Sequence, residues 1–157
     1  MKRANYEIRP LKRDEWDMAM QLAWDTFLIY EAPEYTKEGI KSFKNFIRDP
    51  ILKQLFLEGK YQTLAAFCNG LMVGILGVRN ETHISLLFVD REYHRQGIAS
   101  KLLDRMFSQV FKEYGKRRMT VNASPYAVGF YHKLGFVDTN VEQTTDGITY
   151  TPMEIEF

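Results

Sequence analysis

The most constraining feature of this sequence is an apolar strand that leads through a polar turn into a long amphipathic helix. The stretch HISLLFVDREYHRQGIASKLL occupies residues 83–103, with the strand at 83–89. The apolar spacing predicts a helix over residues 97–114, and a further strand follows at 119–122. A helix that connects two strands of one sheet places them parallel. The rest of the chain therefore has to build a sheet around this parallel pair.

The segments on either side of this unit predict antiparallel strands and additional helices. Two strand-like runs, 62–68 and 71–78, are joined by Asn69-Gly70, a strong hairpin signal. A second hairpin is predicted about Asp146-Gly147, and Ser124-Pro125 is expected to begin the last helix with a capping hydroxyl. The remaining elements are a short first strand at 6–10, helices at 14–30 and 36–47, and a short helix or turn at 51–57. These elements predict a mixed α+β fold in one domain over residues 1–157, with about seven strands, mostly antiparallel, and about four helices.

Composition excludes several classes of partner. With 21 basic and 20 acidic residues the net charge is +1, so we expect neither nucleic acid nor a membrane surface as partner. One cysteine, Cys68, rules out an internal disulfide, and no metal site is expected. The first ten residues, MKRANYEIRP, lack the apolar segment of a signal peptide, and no run reaches bilayer length. A cytoplasmic location is the resulting expectation.

The turn before the long helix has the features of an anion site. The first turn of a helix presents unpaired backbone N–H groups and the positive end of the helix dipole. Gly97 allows a ligand to approach the main chain, and Arg91, Arg95 and Lys101 supply positive charge nearby. Residues 95–100 are therefore suited to bind a diphosphate. The segment has neither the repeated glycines of a dinucleotide fingerprint nor the Gly-Lys-Ser/Thr of a P-loop.

Two motifs together resemble those of a known family. The first, residues 94–99, reads His-Arg-Gln-Gly-Ile-Ala and matches Arg/Gln-x-x-Gly-x-Gly/Ala at the glycine and the small residue, with His94 in the first position. The second is Ala-x-x-x-Tyr-x-x-x-Gly-Phe, which Ala127, Tyr131 and residues 135–136 match. On these motifs the chain resembles the GNAT superfamily of acyl-CoA N-acetyltransferases.

The resemblance implies a fold, a co-substrate and the residues that bind it. The parallel pair would splay apart to form a gap for acetyl-CoA. Main-chain groups of the first strand of the pair would form hydrogen bonds with its pantetheine arm. The turn before the long helix would hold its diphosphate. Asn122 and Ser124 stand near the position where many members have an asparagine. The implied cofactor-binding residues are Leu87, Phe88, Val89, His94, Arg95, Gln96, Gly97, Ile98, Ala99, Ser100, Asn122 and Ser124.

The resemblance also implies direct attack of an acceptor amine on the thioester, with no metal. A backbone N–H near Phe88 or Val89 would stabilise the oxyanion. Tyr131 is the candidate general acid that protonates the departing thiolate, because a phenol holds its proton at neutral pH. Either Glu31 or His83 could be the general base. The acceptor side would be walled by Phe27, Tyr30, Glu31 and Tyr35.

Several functions remain open on the sequence. The first is transfer of an acetyl group to a primary amine of a small molecule, with a protein N-terminus or lysine as the alternative acceptor. A second is a non-catalytic acyl-CoA-binding module in a sensor or complex, and a third is a general α/β interaction domain. Thiol release from acetyl-CoA in the presence of amines separates the first from the others. The edge of the closing hairpin, residues 150–157, could pair two subunits in a homodimer.

Overall fold

The computed structural model describes residues 5–157. Residues 1–4, part of the terminus in which the sequence predicts no signal peptide, lie outside this range. The helices are α1 (Trp16–Tyr30), α2 (Lys37–Ile47), α3 (Pro50–Leu57), α4 (Ile98–Tyr114) and α5 (Val128–Leu134). The strands are β1 (Tyr6–Arg9), β2 (Gln62–Cys68), β3 (Leu71–Arg79), β4 (His83–Val89), β5 (Arg118–Ala123), β6 (Val137–Asp138), β7 (Gln143–Thr145) and β8 (Ile148–Glu156).

All the strands belong to one mostly antiparallel sheet. Its order is β1-β2-β3-β4-β5-β8-β6, and β7 pairs with β8. Within residues 5–157 only β4 and β5 run parallel, and α4 connects them as the sequence predicts. The mixed α+β fold is confirmed, with eight strands and five α-helices over residues 5–157 where about seven and about four were expected.

Local signals explain where several elements begin and turn. The Thr36 hydroxyl accepts a hydrogen bond from the Gly39 amide at 3.1 Å and caps α2. Asp49 caps α3 in the same way through the Ile51 amide, at 2.9 Å. Asn69 and Gly70 both adopt positive φ, 51° and 83°, which is the conformation that a two-residue hairpin turn requires. The sequence predictions of these elements are confirmed.

The sheet packs helices on both faces. On one face α4 and α5 bury an apolar cluster that includes Leu102, Met106 and Tyr131. On the other face α1, α2 and α3 cover a cluster that includes Trp16 and Phe27. The space between β4 and β5 therefore lies between the two layers of helices.

Gly77, in β3, allows a close approach to the sheet. A Cβ atom at this position would lie 2.0 Å from the Tyr61 hydroxyl oxygen. That hydroxyl forms a 2.7 Å hydrogen bond with Ser85 Oγ on β4. The missing side chain therefore lets Tyr61 lie under β3 and reach the neighbouring strand.

Two predictions about the last third of the chain are wrong. Helix α5 begins at Val128, three residues after Pro125, because a turn over residues 125–127 comes first. The backbone carbonyl of Ser124 accepts from the amides of Ala127 (2.9 Å) and Val128 (3.1 Å), so its hydroxyl caps nothing. Strand β8 is not an edge, since β5 lies on one side of it and β6 and β7 pair along the other.

Candidate functional site

Strands β4 and β5 separate soon after they begin. Their parallel pairing is confined to His83 with Thr120 and Ile84 with Val121. Strand β4 continues to Val89 while β5 ends at Ala123. The last part of β4 therefore pairs with β3 on one side only, and the predicted splayed gap lies on its other side.

The direction of the backbone groups in β4 follows from one hydrogen bond. The Asp90 amide donates to the Val73 carbonyl on β3 at 2.8 Å. Because main-chain groups alternate sides along a strand, the N–H and C=O of Leu87 and Val89 face the gap, and those of Phe88 face β3. The gap is thus edged by polar main-chain groups of β4, of which the Val89 carbonyl accepts a hydrogen bond from a side chain, His94.

A backbone anion site lies beside the gap, at the start of α4. Arg95 and Gly97 both have positive φ, 62° and 75°, and the amides of residues 95–100 have no hydrogen-bond acceptor within residues 5–157. A Cβ at Gly97 would meet no atom within 4 Å, so the space in front of these amides is open. Unpaired amides at a helix N-terminus, with Arg91 and Arg95 nearby, form a site that fits phosphate oxygens.

A cleft of about 760 Å³, called here the first cleft, joins the anion site to the gap. It is bounded by the ends of α1 and β4, the start of α4 and the turn into α5. The lining residues are Thr26, Tyr30, Glu31, Leu87, Phe88, Val89, Arg91, Tyr93, His94, Arg95, Gly97, Ile98, Ala99, Ser100, Tyr126, Ala127, Phe130 and Tyr131. Its volume and its mixture of apolar walls and backbone donors suit an elongated ligand with an anionic end.

His94, which stands at the first position of the phosphate-loop motif, is held as part of the wall. Its Nε2 donates to the Val89 carbonyl at 2.6 Å. Its ring stacks on Tyr30 at a centroid distance of 4.7 Å, and Tyr30 in turn contacts Tyr126 at 5.0 Å. Gln96 lies outside the cleft lining, where its side-chain oxygen accepts a hydrogen bond from the Tyr6 hydroxyl.

A second cleft of about 450 Å³ opens on the α2 side of the sheet. Strands β4 and β5 form its floor, and α2 and the tip of the β7–β8 hairpin close it. The residues that line this second cleft are Glu31, Tyr35, Ser42, Phe43, Phe46, Arg79, His83, Ile84, Ser85, Leu87, Phe88, Val121, Asn122, Ala123, Ser124, Ala127, Tyr131, Thr145, Asp146, Ile148 and Tyr150. Asn122 and Ser124, expected at the cofactor, lie here instead of in the first cleft.

The two clefts share one wall. Five residues line both of them: Glu31, Leu87, Phe88, Ala127 and Tyr131. The structure therefore brings the candidate acid and one candidate base together at the junction of the clefts. A ligand in one cleft and a ligand in the other would meet beside these side chains.

Tyr131 is placed at this junction by α5. Its ring is 4% exposed and packs edge-on against Phe130 and Phe136, at centroid distances of 5.2 and 5.0 Å. Burial, and then the Glu31 carboxylate, raise the pKa of the Tyr131 phenol. The hydroxyl consequently keeps its proton at neutral and mildly alkaline pH and is available as a donor.

Glu31 closes the C-terminal end of α1, where its amide donates to the Phe27 carbonyl at 2.9 Å. Burial is the main cause that raises the pKa of its carboxyl group. The Ser124 hydroxyl is near enough to oppose that shift, although the pair lacks the geometry of a formed hydrogen bond. A carboxylate with a raised pKa beside a buried hydroxyl is suited to take a proton.

His83 lies in the second cleft, at the opposite end of β4 from the junction. Its Nδ1 is 2.8 Å from Thr120 Oγ1. Burial, and then the positive charge of Arg79, lower the pKa of His83 to about 4. The imidazole is therefore neutral at pH 7.

The three aromatic residues predicted to wall the acceptor side lie in three different parts of the structure. Phe27 is fully buried against Phe43, with ring centroids 4.1 Å apart, and lines neither cleft. Tyr30 lines the first cleft, and Tyr35 lines the second. Periodicity identified α1 but could not assign its faces, since α1 is apolar on most of its surface.

Some lining residues were not identified from the sequence. Arg79, Ser85 and Ser42 line the second cleft, as do Asp146 and Tyr150 of the closing hairpin. They come from separate elements, and no spacing in the sequence relates them. Only Arg79 had a local signal, because it ends β3 directly before the turn into β4.

Neither a metal cluster nor a membrane-spanning helix is found in residues 5–157. No group of three or more His, Cys, Asp or Glu side chains in this range is arranged to hold a metal ion. None of its helices combines the length and the apolar character needed to cross a bilayer.

Comparison with known proteins agrees with this geometry. A family model described as "Acetyltransferase (GNAT) domain" matches residues 31–157. The uncharacterized N-acetyltransferase YafP of Escherichia coli (strain K12) is 38% identical over 77 residues, which cover 49% of this chain and 47% of that protein. This chain thus aligns with about half the length of that relative.

Crystal structures of two other proteins share the fold. A GCN5-related N-acetyltransferase from Rhodopseudomonas palustris has a TM-score of 0.82 at 22% identity, covering 100% of this chain and 99% of its own. The PaiA N-acetyltransferase of Thermoplasma acidophilum, solved in complex with coenzyme A, has a TM-score of 0.74 at 21% identity, covering 98% and 99%.

Proposed function

This chain belongs to the GNAT acetyltransferase family, and we propose that it transfers an acetyl group from acetyl-CoA to a primary amine of a small molecule. The observation that carries the proposal is the shared wall of the two clefts, with Tyr131 and Glu31 on it. One cleft fits a long ligand with a phosphate end, and the other fits a small acceptor. The acyl carbon and the amine would meet between them in a ternary complex.

The first cleft is the proposed site of acetyl-CoA. The free amides of residues 97–100 and the guanidinium of Arg95 are the groups that fit its diphosphate. The gap-facing main-chain groups of Leu87 fit the amides of its pantetheine arm in the manner of an added strand. His94 supports this site indirectly, since it donates to the Val89 carbonyl.

The reaction uses three proton transfers, through Glu31 and Tyr131, and no covalent intermediate on the protein. Glu31, directly or through a water, takes a proton from the acceptor's ammonium. The free amine attacks the thioester carbonyl, and the backbone N–H of Val89, which faces the gap, stabilises the oxyanion. Collapse of the intermediate breaks the C–S bond, and Tyr131 donates its proton to the departing thiolate. The second proton, which the nitrogen loses on becoming an amide, returns to the Tyr131 oxygen directly or through a water, and Glu31 releases its proton to solvent. The products are an N-acetylated amine and CoA.

The dimensions of the second cleft favour a small acceptor. A volume of about 450 Å³ lies within the range of small-molecule sites. Phe43 and Phe46 from α2 and the hairpin tip around Asp146 close the cleft over its floor. A protein N-terminus or a lysine inside a folded protein would need a broader opening, so these acceptors are less favoured.

Release of thiol from acetyl-CoA in the presence of a panel of primary amines tests the proposal. We expect continuous release that depends on both acetyl-CoA and amine, and an acetylated product of matching mass. Peptides with free N-termini test the alternative acceptor in the same assay. A protein that binds CoA but releases no thiol with any amine would instead be a non-catalytic acyl-CoA-binding module.

A further inference from the structure

The second cleft has opposite charges at its two ends. Glu31 lies at the junction with the first cleft, beyond Leu87, while Arg79 lies where β3 ends and pairs with His83 at the start of β4. His83 and Leu87 are four positions apart, a distance of about 13 Å along an extended strand. Between the two ends, the floor carries no charged group within residues 5–157, and its polar side chains are Ser85 and Asn122.

The end at Glu31 fits an amine. The Ser124 hydroxyl is 5% exposed, lines the cleft and has no hydrogen-bond partner in residues 5–157. A buried hydroxyl without a partner is costly unless a ligand satisfies it. A primary amine, which has several N–H donors, can donate to the Glu31 carboxylate and to Ser124 Oγ together.

The end at Arg79 fits an anion. The Arg79 guanidinium is exposed and has no carboxylate within 4.0 Å in the described part of the chain. Its neighbour His83 is neutral at pH 7 and tied to Thr120 through Nδ1, so it offers a hydrogen bond and no competing charge. An arginine with unused donors is a natural partner for a carboxylate.

The other charged group of the cleft, Asp146, forms no ion pair with Arg79 in the described part of the chain. Asp146 sits at the tip of the β7–β8 hairpin, over the floor, where its backbone carbonyl accepts from Ser42 Oγ at 3.0 Å. The titratable residues Tyr35 and Tyr150 complete the lining as hydroxyl groups. The positive end of the cleft is therefore set by Arg79.

We propose that the acceptor is an elongated ω-amino carboxylate, whose amine binds at Glu31 and Ser124 and whose carboxylate binds Arg79. This inference rests on the proposed acetyl transfer for the identity of the amine end. Its charges have to be several bonds apart, because an α-amino carboxylate would bring its carboxylate against that of Glu31. The size of the second cleft and the distance between its two charged ends together define this class of acceptor.

Binding to the CoA-loaded protein tests the proposal without turnover. Three acceptors of one length are compared by calorimetry: 6-aminohexanoate, hexylamine and 1,6-diaminohexane. We expect 6-aminohexanoate to bind about fivefold more tightly than hexylamine, the scale of an exposed ion pair, and the diamine to bind most weakly. The preference should shrink in high salt.

Substitutions of Arg79 test whether this residue causes the preference for 6-aminohexanoate. Arg79→Gln should abolish the preference for 6-aminohexanoate over hexylamine, and Arg79→Lys should keep part of it. Arg48→Gln, an exposed arginine outside both clefts, is the matched control and should bind like the wild type. Equal binding of the three acceptors, tighter binding of the diamine, or an unchanged preference in Arg79→Gln overturns the proposal.

A parallel thiol-release assay separates this proposal from the proposed function. Thiol release with hexylamine and no preference for the carboxylate leaves acetyl transfer intact and removes the role of Arg79. The expected preference in binding, without thiol release from any acceptor, supports the ω-amino carboxylate site and contradicts acetyl transfer.

Discussion

The two clefts are built from different parts of the polypeptide. The first cleft presents backbone donors from one continuous segment, residues 95–100, on the end of a single helix. The second cleft presents side chains from α1, α2, β3, β4, β5 and the closing hairpin. A site made of main chain can persist through many changes of side chain, whereas a site made of side chains changes with each substitution. The same fold can therefore keep one co-substrate and vary the acceptor.

The largest expected effect on the rate comes from removing one atom at the shared wall, the hydroxyl oxygen of Tyr131. Tyr131→Phe removes the proton donor and keeps the ring that packs on Phe130 and Phe136. We expect kcat to fall about 100-fold, the lower range for general acid catalysis, with CoA affinity unchanged. Steady-state kinetics with calorimetry measures both.

Tyr114→Phe is the matched control for this change. Tyr114 ends α4, outside both clefts, and its variant should retain the wild-type kcat. If Tyr131→Phe turns over as fast as the wild type at every pH, Tyr131 has no part in the chemistry.

The second-largest effect is expected from replacing the general base. Each end of the second cleft carries one candidate for this role, so the two substitutions compare the two ends. Burial raises the pKa of Glu31 above its usual value, whereas it lowers the pKa of His83 to about 4. A base works only when deprotonated, so kcat/KM should fall as the pH drops through the raised pKa of Glu31. Glu31→Gln should lose at least about tenfold in kcat/KM at neutral pH and lose this acidic limb as well.

His83→Asn should keep both the neutral-pH rate and the acidic limb. The acceptor amine also titrates, but it does so equally in both variants and the wild type. The reverse result, a normal pH profile in Glu31→Gln and a lost limb in His83→Asn, would make His83 the base.

The smallest predicted effect isolates the backbone site of the first cleft. Gly97 and Gly115 lie at the two ends of α4 with φ of 75° and 67°, and a Cβ at either one would meet no atom within 4 Å. Alanine at either position should lower the free energy of unfolding by about 1–2 kcal/mol, because a residue with a Cβ is strained in the left-handed backbone conformation. Only Gly97→Ala places a methyl group before the free amides.

We therefore expect CoA to bind about tenfold more weakly to Gly97→Ala, the loss of roughly one hydrogen bond to a charged group. Gly115→Ala should bind CoA like the wild type despite a similar fall in melting temperature. Equal CoA affinities for the two variants would place the diphosphate away from the start of α4.

The same contrast explains how much of the site could be predicted from the sequence. The crossover from β4 through α4 and the glycine at its start are local patterns of the sequence, whereas the splayed gap and the role of Tyr131 were expected from the resemblance that the two motifs carry. The wall that the two clefts share was not predicted. Arg79 and Asp146 are 67 residues apart in the chain and meet in one cleft only after folding. Likewise, the position of Ser124 depended on a turn over residues 125–127 that a Ser-Pro pair did not distinguish from a helix start.

A crystal structure of the protein with acetyl-CoA tests the central claim most directly. We predict that the diphosphate lies on the amides of residues 97–100 and that the thioester sulfur lies within hydrogen-bond reach of the Tyr131 hydroxyl, where the two clefts meet. A diphosphate bound elsewhere, or a Tyr131 hydroxyl directed away from the sulfur, would contradict the account.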